Sequence, residues 1–133
     1  MKVQAYLAFK GNCENALNYY AEIFDATIQN KQRYKDSKHD IPESYRHNLQ
    51  HAELKGNGIM IMAYDASPDT PLNSGNNIHM SVELHDVEKA KTVFEKLSHH
   101  GTIHHEFRER EWNALYGRCT DEFNIQWMVN CPV

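Results

Sequence analysis

The sequence predicts an α+β fold made of two βαβββ modules, and three observations carry that expectation. A short strand-like stretch runs into an amphipathic helix twice, at 3–9 before "GNCENALNYYAEIF" and at 78–84 before "DVEKAKTVFEKL". The same landmarks recur in both halves: Asn12 and Ala16 match Asp86 and Ala90, Tyr20 matches Phe94, Thr27-Ile28 matches Thr102-Ile103, and Gly58-Ile59 matches Asn124-Ile125. A repeat at a period of about 70 residues is a statement about the whole fold, because each copy must be a structural unit of its own. Between the copies lies "ASPDTPLNSGNN" (66–77), rich in Ser, Pro, Gly and Asn and therefore linker-like. The expected organisation is one domain, with a first module at about 1–65, a linker at about 66–77 and a second module at about 78–133.

Each element has a local reason. Residues 3–9 alternate, with Leu7 and Phe9 on one face and Gln4, Tyr6 and Ala8 on the other. Asn12 is placed to cap the helix that follows, Glu14 suits its positive end, and Ala16, Leu17, Tyr20 and Phe24 form one apolar stripe. Residues 27–34 read as a polar strand, and "KDSKHDIPESYR" (35–46), charged and interrupted by Pro42, as a mobile surface loop. "HNLQHAELKGNGIMIMAYD" reads as a hairpin turning at Gly56-Asn57-Gly58. After the linker, a strand at 78–84 leads to a helix capped by Asp86, striped by Ala90, Val93, Phe94 and Leu97, and stopped by Gly101. The strand "TIHHEFRER" follows, then strands around "ALYGRCT" and "IQWMVN" joined by a tight turn at Asp121–Asn124.

Bulk properties narrow the partners. A chain of 133 residues can bury a core without a disulfide or structural metal. Its formal charge of −4, with both signs interspersed, argues against nucleic acid. No apolar run approaches the ~20 residues of a membrane span, and Met1 leads directly into a strand-like segment rather than a leader pattern. Cys13, Cys119 and Cys131 are odd in number and lack CxxC spacing, which fits thiols in a reducing cytoplasm.

The duplicated unit, with "YLAFKGNCENALNYYAEIF" and "WNALYGRCTDEFNIQWMVN", resembles the vicinal oxygen chelate superfamily of glyoxalases, bleomycin-resistance proteins and extradiol dioxygenases. Within it the chain looks like the PhnB-like branch, through Tyr6-Leu7, Phe9, Gly11-Asn12-Cys13-Glu14, His51-Ala52, Asp65, Trp112, Tyr116-Gly117, Thr120-Asp121 and Trp127-Met128. The resemblance implies two small mixed sheets curled around a cleft, helices outside, often in a homodimer. By parity Leu7, Phe9, Met80, Val82 and Leu84 lie under the helices, while Gln4, Tyr6, His79, Ser81 and Glu83 face the cleft. It also implies a place for a divalent metal, held by one side chain from the first and last strand of each module. His79 stands at one histidine position and Gln4 (by parity, rather than Ala5) at its counterpart, but Met62 and Met128 stand where the two carboxylates belong. Neutral thioethers are poor ligands for hard or borderline divalent ions, so the expectation is that the metal site is lost and no cofactor is needed. If a divalent metal is bound, His79 and Gln4 are its expected ligands, with Glu53, Asp65 and Glu83 able to rebuild the site.

The expected function is therefore the binding of a small amphipathic or aromatic molecule. Its expected contacts are Gln4, Tyr6, His51, Glu53, Met62, Asp65, His79, Glu83, Trp112, Tyr116 and Met128. The alternative is a metal-dependent lyase, isomerase or dioxygenase using His79. His51, on one face with Glu53, and His79 are the candidate acid/base residues. Some relatives are named as methyltransferases, but no Gly-rich strand-to-helix turn for adenosylmethionine is present. The pairs His99-His100 and His104-His105 read as helix-end and strand-face residues, with His104 and His105 pointing to opposite faces.

Overall fold

The computed structural model describes residues 1–37 and 40–133. It divides into two compact units, Met1–Asn73 and Ser74–Val133, the boundary falling inside the linker-like stretch 66–77.

The first unit runs β1 (Tyr6–Phe9), α1 (Cys13–Phe24), β2 (Thr27–Arg33), β3 (Leu49–Gly56) and β4 (Ile59–Asp65). Its sheet has the order β1-β4-β3-β2. The β1–β4 pair is parallel, which the α1 crossover permits, and the remaining pairs are antiparallel. Only 6–9 of the expected strand 3–9 pair, so Gln4 precedes the sheet. The α1 stripe of Ala16, Leu17, Tyr20 and Phe24 is buried, joined by Cys13 and Ile23, and the helix packs on β2, β3 and β4. Leu7 pairs with Ala63 and Phe9 with Asp65, which puts them on the helix side of the sheet. Tyr6 pairs with Met62 and Ala8 with Tyr64 on the helix-free side.

Asn12 occupies the N-cap position of α1, but its side chain makes no capping bond. Asp65 does that work from the end of β4. Its Oδ1 accepts the backbone N–H groups of Gly11 (2.8 Å) and Cys13 (3.0 Å), and its Oδ2 accepts that of Leu49 (2.9 Å). Its backbone carbonyl accepts the Tyr34 hydroxyl at 2.6 Å. A carboxylate at a positive helix end, holding three backbone donors, ties the helix start, β3 and β4 into one joint. The β3–β4 hairpin turns through Asn57 (φ 55°) and Gly58 (φ 83°), the two positive-φ positions of a two-residue turn.

The expected loop 35–46 is partly ordered: Tyr34–Asp36 and Glu43–Tyr45 form single 3₁₀ turns, the first with Tyr34 buried. Lys38 and His39 of that segment lie outside the described residues.

The second unit repeats the plan with β5 (Met80–Glu83), α2 (Val87–Ser98), β6 (Thr102–Arg110), β7 (Ala114–Thr120) and β8 (Gln126–Pro132), in sheet order β5-β8-β7-β6. Here the cap is local: the Asp86 side chain accepts the Lys89 N–H at 3.1 Å. Ala90, Val93, Phe94 and Leu97 are buried as expected. Gly101 follows the helix for a different reason from the expected one, since it has no positive φ. A Cβ there would sit 1.9 Å from the Thr120 carbonyl oxygen, so the requirement is close backbone approach. Gly117 is similar, a Cβ meeting Phe94 Cε1 at 2.6 Å. Asp121 mirrors Asp65 in burial, accepting N–H groups from Phe123 and Ile125 and the Trp127 indole Nε1–H at 2.8 Å. The two open sheets, each with one helix, are the βαβββ modules of the glyoxalase/bleomycin-resistance fold.

One detail departs from simple alternation. The β6–β7 register shifts on both sides of His105. His104 Nε2 meets Thr120 Oγ1 at 2.7 Å, while the His105 ring lies 6.4 Å from that of Tyr116. Thr120 and Tyr116 lie an even number of residues apart on β7, so the two histidines do not point to opposite faces; the bulge removes the alternation that the sequence implies.

Candidate functional site

The helix-free face of the first module gathers polar groups from three strands. Glu53 on β3 pairs with Met62 on β4, which pairs with Tyr6 on β1, so the three residues form one row across the sheet. His51 lies two residues along from Glu53 on the same face. Tyr6 Oη is 2.5 Å from His51 Nδ1, and His51 Nε2 is 2.9 Å from Glu53 Oε2. With the carboxylate accepting from Nε2–H, a neutral imidazole leaves Nδ1 free to accept the Tyr6 O–H. The result is a Tyr–His–Glu chain along which a proton can be passed. The Glu53 Oε1 atom accepts from Asn30 Nδ2 at 3.1 Å and pairs with Lys55 Nζ at 3.1 Å. Asn30 reaches it from a β2 irregularity at φ 54°, between the paired residues Gln29 and Gln32.

The electrostatics follow the geometry. The His51, Asn30 and Lys55 hydrogen bonds hold the Glu53 carboxyl at a pKa of about 2, well below the ordinary carboxylate range. Burial pushes the Tyr6 phenol above its usual value, reinforced by Tyr64, Cys13 and Glu53, so the phenol stays protonated as a donor. The Tyr6 ring sits edge-on to Tyr64 at 5.2 Å and to His51 at 5.6 Å, and is 46% exposed. A fixed polar relay therefore stands beside an accessible aromatic surface, with Met62 between Tyr6 and Glu53 in the row.

On the second module's helix-free face, Ser81 on β5, Met128 on β8 and Arg118 on β7 form the corresponding row. Glu83, Asn130 and Tyr116 form the next one. Trp112 packs edge-on to Tyr116 at 5.5 Å and is 59% exposed, and the Arg110 guanidinium lies over the Tyr116 ring at 5.8 Å. His79 immediately precedes β5, with its Nε2 buried and without a hydrogen-bond partner among the described residues.

Of the residues picked from the sequence, Tyr6, His51, Glu53 and Met62 come together on one face, and Tyr116, Trp112, Glu83 and Met128 share the other module's face or border it. Asp65 does not join them: it is 1% exposed on the helix side, with both oxygens committed to backbone donors. Gln4 is exposed ahead of β1. No group of three or more His, Cys, Asp or Glu side chains able to hold a metal ion occurs among the described residues. Met62 and Met128 both lie on helix-free faces, where they offer only neutral sulfur. Sequence reading missed Tyr64, Asn30, Lys55 and Arg118. Tyr64 and Lys55 follow from strand parity with Met62 and Glu53, whereas Asn30 depends on a backbone irregularity that no periodicity reveals.

Comparison with known proteins agrees with this fold. The family model described as 3-demethylubiquinone-9 3-methyltransferase matches residues 1–130. Protein YjdN of Escherichia coli (strain K12) is 29% identical, the match spanning 98% of this chain and 95% of that protein. Among solved structures, protein PA1353 from Pseudomonas aeruginosa superimposes with a TM-score of 0.89 at 27% identity, over 99% of this chain and 98% of that one. A PhnB protein from Bacillus cereus, described as a putative 3-demethylubiquinone-9 3-methyltransferase, gives 0.85 at 24% identity over 98% and 99%. The fold alone extends to a glyoxylase/bleomycin resistance protein/dioxygenase domain from Frankia sp. EAN1pec, at a TM-score of 0.69 and 13% identity over 100% and 98%. The chain belongs to the family whose model is described as 3-demethylubiquinone-9 3-methyltransferase, and its fold is that of the glyoxylase/bleomycin resistance protein/dioxygenase domain.

Proposed function

We propose that the protein binds a small molecule with an aromatic or amphipathic body on the helix-free face of its first module, without a divalent ion. The observation that carries this reading is the Tyr6–His51–Glu53 chain, fixed in orientation and flanked by Tyr64 and Met62. An apolar and aromatic surface with a few oriented polar groups is the usual composition of a small-molecule site. The Tyr6 oxygen donates its proton to His51 and keeps lone pairs to accept one from a ligand. Glu53 stays ionised and favours a ligand with donor or cationic character. The family's methyltransferase description is not adopted, because the sequence has no glycine-rich cradle for adenosylmethionine.

A second reading takes the same chain as an acid/base relay. His51 then accepts a proton from Tyr6 as the phenolate oxygen takes one from a bound substrate, and Glu53 stabilises the imidazolium. The two readings share a binding site and differ in turnover. A metal-dependent reaction built on His79 would need carboxylates beside it, and the described residues gather no such group.

The test is a thermal-shift screen of tag-free protein against small aromatic and amphipathic molecules, run with and without EDTA, with calorimetry on the hits. Binding that survives EDTA and weakens roughly tenfold in Tyr6→Phe and His51→Ala, as loss of one good polar contact predicts, supports the proposal. Dialysis-resistant, stoichiometric Mn, Fe, Ni or Zn would overturn it. Consumption of a hit by the wild type but not by His51→Ala would select the second reading.

A further inference from the structure

We propose that the helix-free face of the second module binds an oxyanion, a carboxylate or a phosphate group, on the guanidinium of Arg118, with the ligand's organic body against Met128 and Tyr116. Arg118 lies mid-strand on β7, paired with Met128 on one side and His105 on the other. Its Nε is out of contact with solvent and has no hydrogen-bond partner among the described residues. A guanidinium cannot neutralise itself by losing a proton, so burial of an unsatisfied donor on it is unfavourable until an acceptor arrives. Nε and the neighbouring Nη form the edge of the fork that matches two oxygens of one carboxylate or phosphate. The orphaned donor is therefore on the part of the side chain best shaped for an anion.

The surroundings support the same occupant. Ser81, Met128 and Arg118 stand in one row across β5, β8 and β7, which puts the Ser81 and Arg118 backbones roughly 10 Å apart across the sheet, two strand spacings. His79, two residues before Ser81, carries the module's other buried side-chain nitrogen without a partner among the described residues, its Nε2. Arg108 pairs with Tyr116 on β6 and β7, and Arg110 lies over the Tyr116 ring, so the flank of the site is cationic. Glu83 shares the face two residues beyond Ser81, and its exposure to water screens its charge. Met128 fills the middle of the row, where an adaptable apolar side chain accommodates the body of an organic acid.

The experiment uses inorganic phosphate and benzoate as probes on the full chain, with chloride at matched ionic strength as the control, read by melting temperature and by calorimetry. The expected result is a saturable rise in melting temperature with at least one probe. Benzoate acting alone identifies an organic carboxylate, and phosphate acting alone identifies a phosphate group. Arg118→Met should weaken that binding by roughly tenfold to a hundredfold, the range for charge-assisted hydrogen bonds. Arg118→Lys, which keeps the charge but loses the fork, should fall in between. In anion-free buffer Arg118→Met should melt higher than the wild type, because it removes a buried donor without a partner; this separates a ligand role from a packing one. The proposal is overturned if neither probe binds, or if Arg118→Met binds them unchanged. It is also overturned if Arg118→Met melts lower and dissociates a dimer by light scattering, which would assign the guanidinium to a carboxylate of a second copy.

Discussion

Glu53 shows how one side chain on a sheet face can be tuned by neighbours that periodicity only partly reveals. The parity of β3 places His51, Glu53 and Lys55 together, and this much is readable from "HAELK". The third partner, Asn30, arrives from β2 only because that strand breaks register there. Together they hold the carboxyl at about 2. A carboxyl whose pKa is lower in the folded than in the unfolded chain contributes stability above its unfolded pKa of about 4.3, and that contribution is lost as pH falls toward the folded value. Thermal unfolding scans should therefore find Glu53→Gln less stable than the wild type at neutral pH. The gap should close between about pH 4.5 and about pH 2. A gap that does not change over that interval would mean that the charge of Glu53 contributes nothing and that only its shape matters.

At the scale of elements, the two helices begin in different ways although their sequences align. Asp86 caps α2 with its own side chain, as its position before "VEKA" suggests. Asn12 occupies the equivalent place at α1, yet the capping bonds come from Asp65, more than fifty residues away in the chain. A local pattern can name the cap position but not a distant competitor for it, which is why Asp65 reads from sequence as a site residue. The difference is measurable. Asp86→Ala should destabilise by about 1 kcal/mol and Asn12→Ala by less than about 0.5 kcal/mol. Asp65→Ala, which strands three backbone donors around a buried position, should cost about 3 kcal/mol or more by chemical denaturation. If Asn12→Ala proved the more damaging of the two cap-position changes, the assignment of the α1 cap to Asp65 would fail. The helix stripes, the hairpin at Asn57-Gly58 and the strands at 102–110 and 114–120 were legible because each is a local pattern of period or turn chemistry. The shortness of β1 was not: β4 extends back to Ile59, yet β1 pairs with it only from Tyr6 onward.

At the scale of the whole molecule, duplication explains why the fold is legible and the function only partly so. Two copies of one plan reveal the repeat, and each plan has one helix for one sheet, which leaves one face of each sheet without its own helix. The side chains beside the matching methionines differ, Glu53 next to Met62 and Arg118 next to Met128, and no repeat fixes them. The same duplication leaves strand edges. In each sheet β2 or β6 forms one edge and carries Lys31 and Arg33, or Arg108 and Arg110, charges that discourage pairing with another chain. The opposite edges, β1 and β5, are four residues each; β1 has no charged side chain, and β5 has only Glu83. An unguarded short edge is a place where another strand adds, and a second copy supplies the same two edges in an arrangement that can close by symmetry. We therefore expect a homodimer, with twice the chain mass by light scattering at micromolar concentration. Charging the uncharged edge, by Ala8→Lys, should shift the mass toward the monomer while far-ultraviolet circular dichroism stays unchanged. A wild-type monomer at that concentration, or a dimer indifferent to Ala8→Lys, would place the contact elsewhere or nowhere, because the guarded edges β2 and β6 disfavour strand addition by the same reasoning.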